Sequence, residues 1–397
     1  MELARPEHAL LLLGARRKMN AADSAQFKLL LAQPLDWRNL LQMADRHRIL
    51  ALFYSSLERE ACLELIPTAV RGALVAAVQI RVARSMALNS ELGRILRTFE
   101  SLGIPAIPCK GPAVAVAAYG SISFRSFCDL DILVPESHLS LGNEALAALG
   151  YRPTIRFTAK QERTFIQNEC AIQFRDEARG FVVELHWRFC ERNASVDLPV
   201  AAFWHRSTRI ALPGFEASNL GTEDLLLYLC VHGAKHGWER IEWISCLAEV
   251  IRVNPFIDWS AIFQRAESLG IVRLVHLGLQ LATSLLGAEV PESVGQSIDA
   301  DSSARKLAAR VHQDLFAPEA GESHYQRRAT RYLFMMRCRE RWADRARILL
   351  YSAIRPPHPE ANEWIQLPPR LAFLHRIFRP VRLLTEYSLV AWRHYVR

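Results

Sequence analysis

The chain has 397 residues, half of them hydrophobic and 23% charged, with 49 Lys and Arg against 41 Asp and Glu for a formal charge of +8. That apolar content excludes a disordered chain, and the length supports two or three domains with sizeable cores. Eight scattered cysteines without a C-x-x-C pair fit a reduced, cytoplasmic setting, and no uncharged run reaches the roughly 18 residues that span a bilayer.

Apolar residues recur at three- and four-residue spacing through the first hundred positions, as in Trp37, Leu40, Leu41 and Ala44, so residues 1–100 read as helical. A long helix fits 69–102, with Gly103 at its C-terminal end. The texture then changes. Residues 104–109 form a short apolar run that suits a buried strand. The turn Lys110-Gly111-Pro112 follows, then a helix to about Tyr119 with Pro112 in its first position, where a missing N–H does no harm. A second strand is predicted over 130–134 and a helix over 139–149. Three further strands are expected at 151–157, 171–175 and 181–189, the last two joined by a hairpin loop at 176–180. Helical periodicity returns over 222–253 and 259–286, the polar stretch 288–305 reads as a linker or exposed loop, and the remainder is helical and rich in arginine. The expected fold class is α+β: a small mixed-sheet core over 101–190, an N-terminal helical region (1–100), a helical domain (191–290) and a basic C-terminal helical region (291–397).

The chemistry is expected in Asp129-Leu130-Asp131-Ile132-Leu133-Val134. Alternate side chains of a strand share a face, so Asp129 and Asp131 project together while Leu130, Ile132 and Val134 enter the core. Two carboxylates in one small volume repel unless a cation lies between them, and hard oxygen donors favour Mg²⁺ or Mn²⁺. In Phe181-Val182-Val183-Glu184-Leu185-His186-Trp187 the same alternation puts Glu184 and His186 on one face. A third carboxylate on a neighbouring strand completes a set able to hold two divalent ions for an in-line phosphoryl displacement. At the Lys110-Gly111-Pro112 turn, a glycine and a helix N-terminus suit a triphosphate, with Lys110 or Arg125 to neutralise it. The P-loop pattern is absent.

These residues, with Tyr119-Gly120, Gly150-Tyr151 and the run from His232 through Lys235, His236 and Arg240 to Trp243, resemble the uncharacterised nucleotidyltransferase family of the DNA polymerase beta-like superfamily over roughly residues 30–290. The resemblance implies a nucleotidyltransferase core in which Asp129, Asp131 and Glu184 bind metal, with a nucleoside triphosphate such as ATP as substrate. The expected reaction is metal-dependent transfer of a nucleoside monophosphate to an acceptor, releasing pyrophosphate, with Lys110, Gly111 and Arg125 holding the nucleotide. His186, His232, Lys235, His236 and Arg240 are candidate substrate contacts. His232 and His236 have metal-ligand spacing, but Gly233 stands where the protease motif H-E-x-x-H needs Glu. The alternative class is a non-catalytic nucleotide-binding scaffold or a membrane-associated interaction protein. Segments 325–348 and 370–397 carry fourteen arginines against three acidic residues. Residues 370–397 are therefore expected to make peripheral contact with an anionic membrane, on its inner face, or to pack on the body with their arginines solvated; no nucleic-acid module is evident.

Overall fold

The computed structural model describes residues 5–155, 157–192, 196–317 and 324–354. The N-terminal region is helical as expected: Pro6–Gly14, Ala21–Leu31, Trp37–Arg46 and Leu50–Arg59 precede a 34-residue helix, Thr68–Ser101. Gly103, with φ +69°, turns the chain out of that long helix.

Five strands follow: β1 (Ile107–Pro108), β2 (Leu130–Leu133), β3 (Arg152–Pro153), β4 (Ala171–Asp176) and β5 (Phe181–His186). Their order in the sheet is β1-β2-β5-β4-β3. β2 pairs with β5 in parallel and the other neighbours are antiparallel, which makes the sheet mixed. One face is dry: Leu130, Ile132, Val183, Leu185 and Trp187 pack with Leu92, Ile95 and Phe99 of the long helix and with Leu139 and Leu146 of the helix Leu139–Ala148. The other face carries Asp131, Glu184 and His186. The N-terminal helices share a second core with the helices Thr222–Lys235, Ile241–Val253, Val272–Leu286 and Ser302–Leu315, and Ile107, Cys109 and Leu133 of the sheet region join it. The fold is α+β, with the polar sheet face open between these two cores.

Three expectations need correction. The strand foreseen at 151–157 shrinks to two residues, and the helix Ala159–Asn168 follows it. Its start is a reciprocal cap in which the Thr158 N–H donates to Gln161 Oε1 at 2.9 Å and the Gln161 N–H to Thr158 Oγ1 at 3.4 Å. A β-hairpin, β6 (Thr208–Leu212) with β7 (Phe215–Asn219), lies in a stretch expected to be helical, and it turns at Pro213-Gly214. Residues 288–305 are no linker: the helix Glu292–Ala300 buries Val294 and Ile298 one turn apart, and Asp301 caps the next helix by accepting from Ser303 and Ala304 N–H. So narrow an apolar stripe in a polar segment reads as a loop by composition.

Among the described residues no helix is long and apolar enough to cross a membrane. Arg331, Arg339 and Arg341 tie the C-terminal helices to the body, Arg339 by donating to the Leu269 carbonyl at 3.3 Å. Arg339 is buried with Asp344 at 2.5 Å, Arg341 donates to the Glu267 carbonyl at 2.5 Å, and Arg331 pairs with Glu239 at 2.8 Å. The expected membrane segment 370–397 lies outside the described residues.

Candidate active site

Parallel pairing of β2 with β5 sets Asp131 directly beside Glu184 and Leu133 beside His186. Because side chains alternate, Asp131, Glu184 and His186 rise from one face. Each brings a ligand atom within 4.8 Å of the other two. Asp129, one residue before β2, lines the same cavity but lies outside that set. β4 pairs Gln173 with Glu184, and the Gln173 amide donates to Glu184 Oε1 at 3.4 Å.

β1 delivers the next element. The Cys109 N–H donates to the Asp131 carbonyl at 3.0 Å, after which Lys110 turns its Nζ onto Asp131 Oδ1 at 2.6 Å. Gly111 then takes φ +58°, ψ −126°. A Cβ there would meet nothing closer than 3.8 Å, so it is the backbone angle, not space, that requires glycine. The chain enters the helix Pro112–Tyr119, which Tyr119 anchors by donating to Ser245 Oγ at 2.9 Å.

The same Asp131 oxygen receives His186 Nε2 at 3.0 Å, and Glu184 Oε2 is 3.4 Å from that nitrogen. Burial alone would favour neutral groups here, and pairing overrides it. Against burial, Lys110 and His186 hold the Asp131 carboxyl far below the usual carboxylate range, and Asp131 and Glu184 hold the His186 proton well above the usual histidine range. Lys110 is likewise raised, by Asp131 against burial. Glu184 is lowered by its hydrogen bond to His186. Asp129 moves the other way, raised by burial and then by Asp131 and Glu184. Lys110 and Arg48 offset this only in part, which leaves a surplus of negative charge at Asp129. That surplus, on hard oxygen donors, fits a divalent ion.

Helices form the second wall. The helix Thr222–Lys235 ends at the site with His232, Lys235 and the following His236. The rings of His232 and His236 lie 4.7 Å apart, and Trp243 is 5.6 and 5.3 Å from them. Both histidines are pushed well below the usual range, by burial first and then by nearby cations, so this cluster is neutral. Trp238 holds the corner that follows: its indole is fully buried against Gly233, where a Cβ would come within 2.5 Å of the ring. Lys235 pairs with Glu191 at 3.0 Å. Arg125 is buried against Glu242 at 2.9 Å, and burial opposed by Glu242 leaves its proton affinity raised. Arg240 lies over the Trp243 ring at 5.4 Å.

These groups line one cavity of about 520 Å³. It gathers every candidate residue named from the sequence except Gly111. It also contains Arg48, Gln173, Glu191 and Trp243, which sequence reasoning did not assign. Gln173 was within reach, since counting back from the hairpin loop sets it opposite Glu184. Arg48 carried no local signal.

A family model described as uncharacterised nucleotidyltransferase matches residues 33–287. The chain belongs to the uncharacterised nucleotidyltransferase family. The matched region contains every residue lining the cavity except Arg331, and family membership supports nucleotidyl transfer as the general chemistry. No curated protein and no solved structure matches the chain.

Proposed function

We propose that this protein moves a nucleoside monophosphate from a nucleoside triphosphate to a hydroxyl or amine acceptor, with a divalent ion, Mg²⁺ or Mn²⁺, bound by Asp129, Asp131 and Glu184. The observation that carries this reading is the in-register pairing of Asp131 with Glu184 at the wall of a cavity, in a chain of this family. Bound there, the ion would neutralise phosphate charge and orient the reacting groups.

The chain's own residues supply position and charge. An acceptor oxygen or nitrogen attacks the α-phosphorus, the bond to the β-phosphate oxygen breaks, and pyrophosphate leaves with the electron pair. The acceptor proton passes to Glu184, whose side chain is 29% exposed against 3% for Asp131, so it is the carboxylate that an entering acceptor meets. Gln173 and His186 fix the Glu184 carboxylate from either side. Lys110 and His186 hold Asp131 ionised and immobile. Arg125 serves as a support: its buried pair with Glu242 ties the helix Ile241–Val253 to the chain beside β2, and one guanidinium nitrogen lies 3.5 Å from the Gly111 carbonyl. Such chemistry is mostly pre-organised geometry and charge, so few reactive side chains are needed.

One observation favours a second reading. Lys110 Nζ and His186 Nε2 both occupy Asp131 Oδ1, an arrangement that also suits a scaffold that binds nucleotide without turning it over. Purified full chain incubated with each α-labelled nucleoside triphosphate, Mg²⁺ or Mn²⁺ and cell lysate separates the two. Label on an acceptor, lost in Asp131→Ala, is expected. Metal-dependent nucleotide binding without transfer would establish the scaffold, and neither binding nor transfer would overturn both.

A further inference from the structure

Two guanidinium groups in the cavity remain without a task. Each of its other cations has a carboxylate: Lys110 has Asp131 at 2.6 Å, Arg125 has Glu242 at 2.9 Å, Lys235 has Glu191 at 3.0 Å and Arg331 has Glu239 at 2.8 Å. Among the described residues, no carboxylate lies within ion-pair distance of Arg48 or Arg240. Arg48 reaches only the Cys128 sulfur, at 3.4 Å, and Arg240 the face of Trp243.

Their proximity is built in by His47. Its ring is buried, which drives its pKa down to about 3 and leaves it neutral. With the proton on Nε2, facing the Leu315 carbonyl at 3.0 Å, Nδ1 is free to accept the Ile241 N–H at 3.4 Å. The His47 carbonyl accepts the Glu242 N–H at 3.3 Å. The corner at residues 47–48 thereby caps the helix Ile241–Val253, so Arg48 and Arg240, each adjacent in sequence to one side of this clasp, enter the cavity together. Arg48 adopts φ +55° to do so, a left-handed conformation that is strained for a residue other than glycine. The pair also repels: burial first, and the Arg48 charge next, lower the proton affinity of Arg240. Strain, desolvation and like-charge repulsion concentrated at one spot of a cavity are offset when a polyvalent anion binds there.

We propose that Arg48 and Arg240 form a clamp for the β- and γ-phosphates of the nucleoside triphosphate and for the departing pyrophosphate. The proposal rests on the nucleotidyl-transfer reading and deepens it, giving phosphate recognition to residues outside the sheet region, with Lys110 and Arg125 engaged by Asp131 and Glu242.

Isothermal titration of the full chain with inorganic tripolyphosphate and with ATP, GTP, CTP and UTP, each in Mg²⁺, tests it. Arg48→Ala and Arg240→Ala should each weaken both tripolyphosphate and the preferred nucleotide by about tenfold or more, the usual worth of a hydrogen bond to a charged group, and lysine at either position should recover part of the loss. Arg48→Gln and Arg240→Gln keep the side-chain stems and serve where the alanine variants do not fold. Folded variants that bind both ligands within twofold of the parent, while the parent transfers α-label, would overturn the clamp and leave nucleotidyl transfer standing. A parent that binds tripolyphosphate through these arginines but neither binds nor turns over any nucleotide would overturn the nucleotidyl-transfer reading instead, and the anion site would remain. A parent that binds none of the ligands would overturn both.

Discussion

The two walls of the cavity solve the problem of buried charge in opposite ways. On the sheet wall, Asp131 is matched by Lys110 and His186, and Glu184 by Gln173 and His186. On the helical wall, Arg125 and Lys235 are matched, but Arg48 and Arg240 meet only sulfur and an aromatic face, beside two histidines that burial keeps neutral. The charges without a direct ion pair among the described residues are therefore Asp129 on the first wall and two guanidiniums on the second, with Arg48 attracting Asp129 only at longer range. A metal-bound polyphosphate carries the complement of both. On the proposed reading, the partnered charges build the cavity and the unpartnered ones take the ligand.

Breaking the sheet wall should have the largest effect. Asp131→Asn keeps the shape but removes the charge, and label transfer should fall by about a thousandfold, at the upper end of what one pre-organised electrostatic contact supplies. A loss under tenfold would move the chemistry away from β2. The supporting pair behind the helical wall comes next. Glu242→Ala strands the buried Arg125 charge and should cost about 3–5 kcal/mol of stability in urea unfolding, whereas replacing Arg125 and Glu242 together by leucine should restore most of it. Gly111→Ala forces a Cβ into a conformation that only glycine adopts readily, for about 1–2 kcal/mol of stability, with transfer reduced because the same turn carries Lys110.

The pH dependence of stability, modest per pH unit, separates the walls by sign. His186 has a raised pKa in the folded protein, so its stabilisation is complete below the ordinary 6.5 and is lost as pH climbs towards the raised value. His232 and His236 are lowered, so their contribution is complete above 6.5 and is lost as pH falls. With metal chelated, the histidine contribution to stability should peak near pH 6.5, with limbs of at most about 1.4 kcal/mol per pH unit for each proton. His186→Asn should flatten the alkaline limb and the double variant His232→Asn, His236→Asn the acid one, as read by denaturant unfolding between pH 5 and 9. Loss of the same limb in both variants would show that the walls are not electrostatically distinct.

The walls also differ in how far they could be read from sequence. The sheet wall is local: a period of two put Asp129 with Asp131 and Glu184 with His186, and the hairpin loop fixed the register that brings Gln173 to Glu184. The helical wall depends on distant pairings that no period encodes. The pairing of Arg125 with Glu242 joins residues more than a hundred positions apart, and Arg48 is placed by a histidine that caps a helix almost two hundred residues away. The turn that carries Lys110 is legible from the sequence, but its pairing with Asp131 is a tertiary fact. The missed elements follow the same division. The Thr158–Gln161 cap and the Pro213-Gly214 turn were local signals outweighed by the surrounding texture, whereas the helix Glu292–Ala300 needs only Val294 and Ile298 buried, too thin a stripe to stand out.

The most direct measurement is a crystal structure of the full chain with Mn²⁺ and a non-hydrolysable analogue of the nucleotide it prefers, using manganese anomalous scattering to place the ion. The account predicts manganese on Asp129, Asp131 and Glu184, with the β- and γ-phosphates between Arg48 and Arg240. Manganese absent from those carboxylates, or a nucleotide bound outside this cavity, would contradict it.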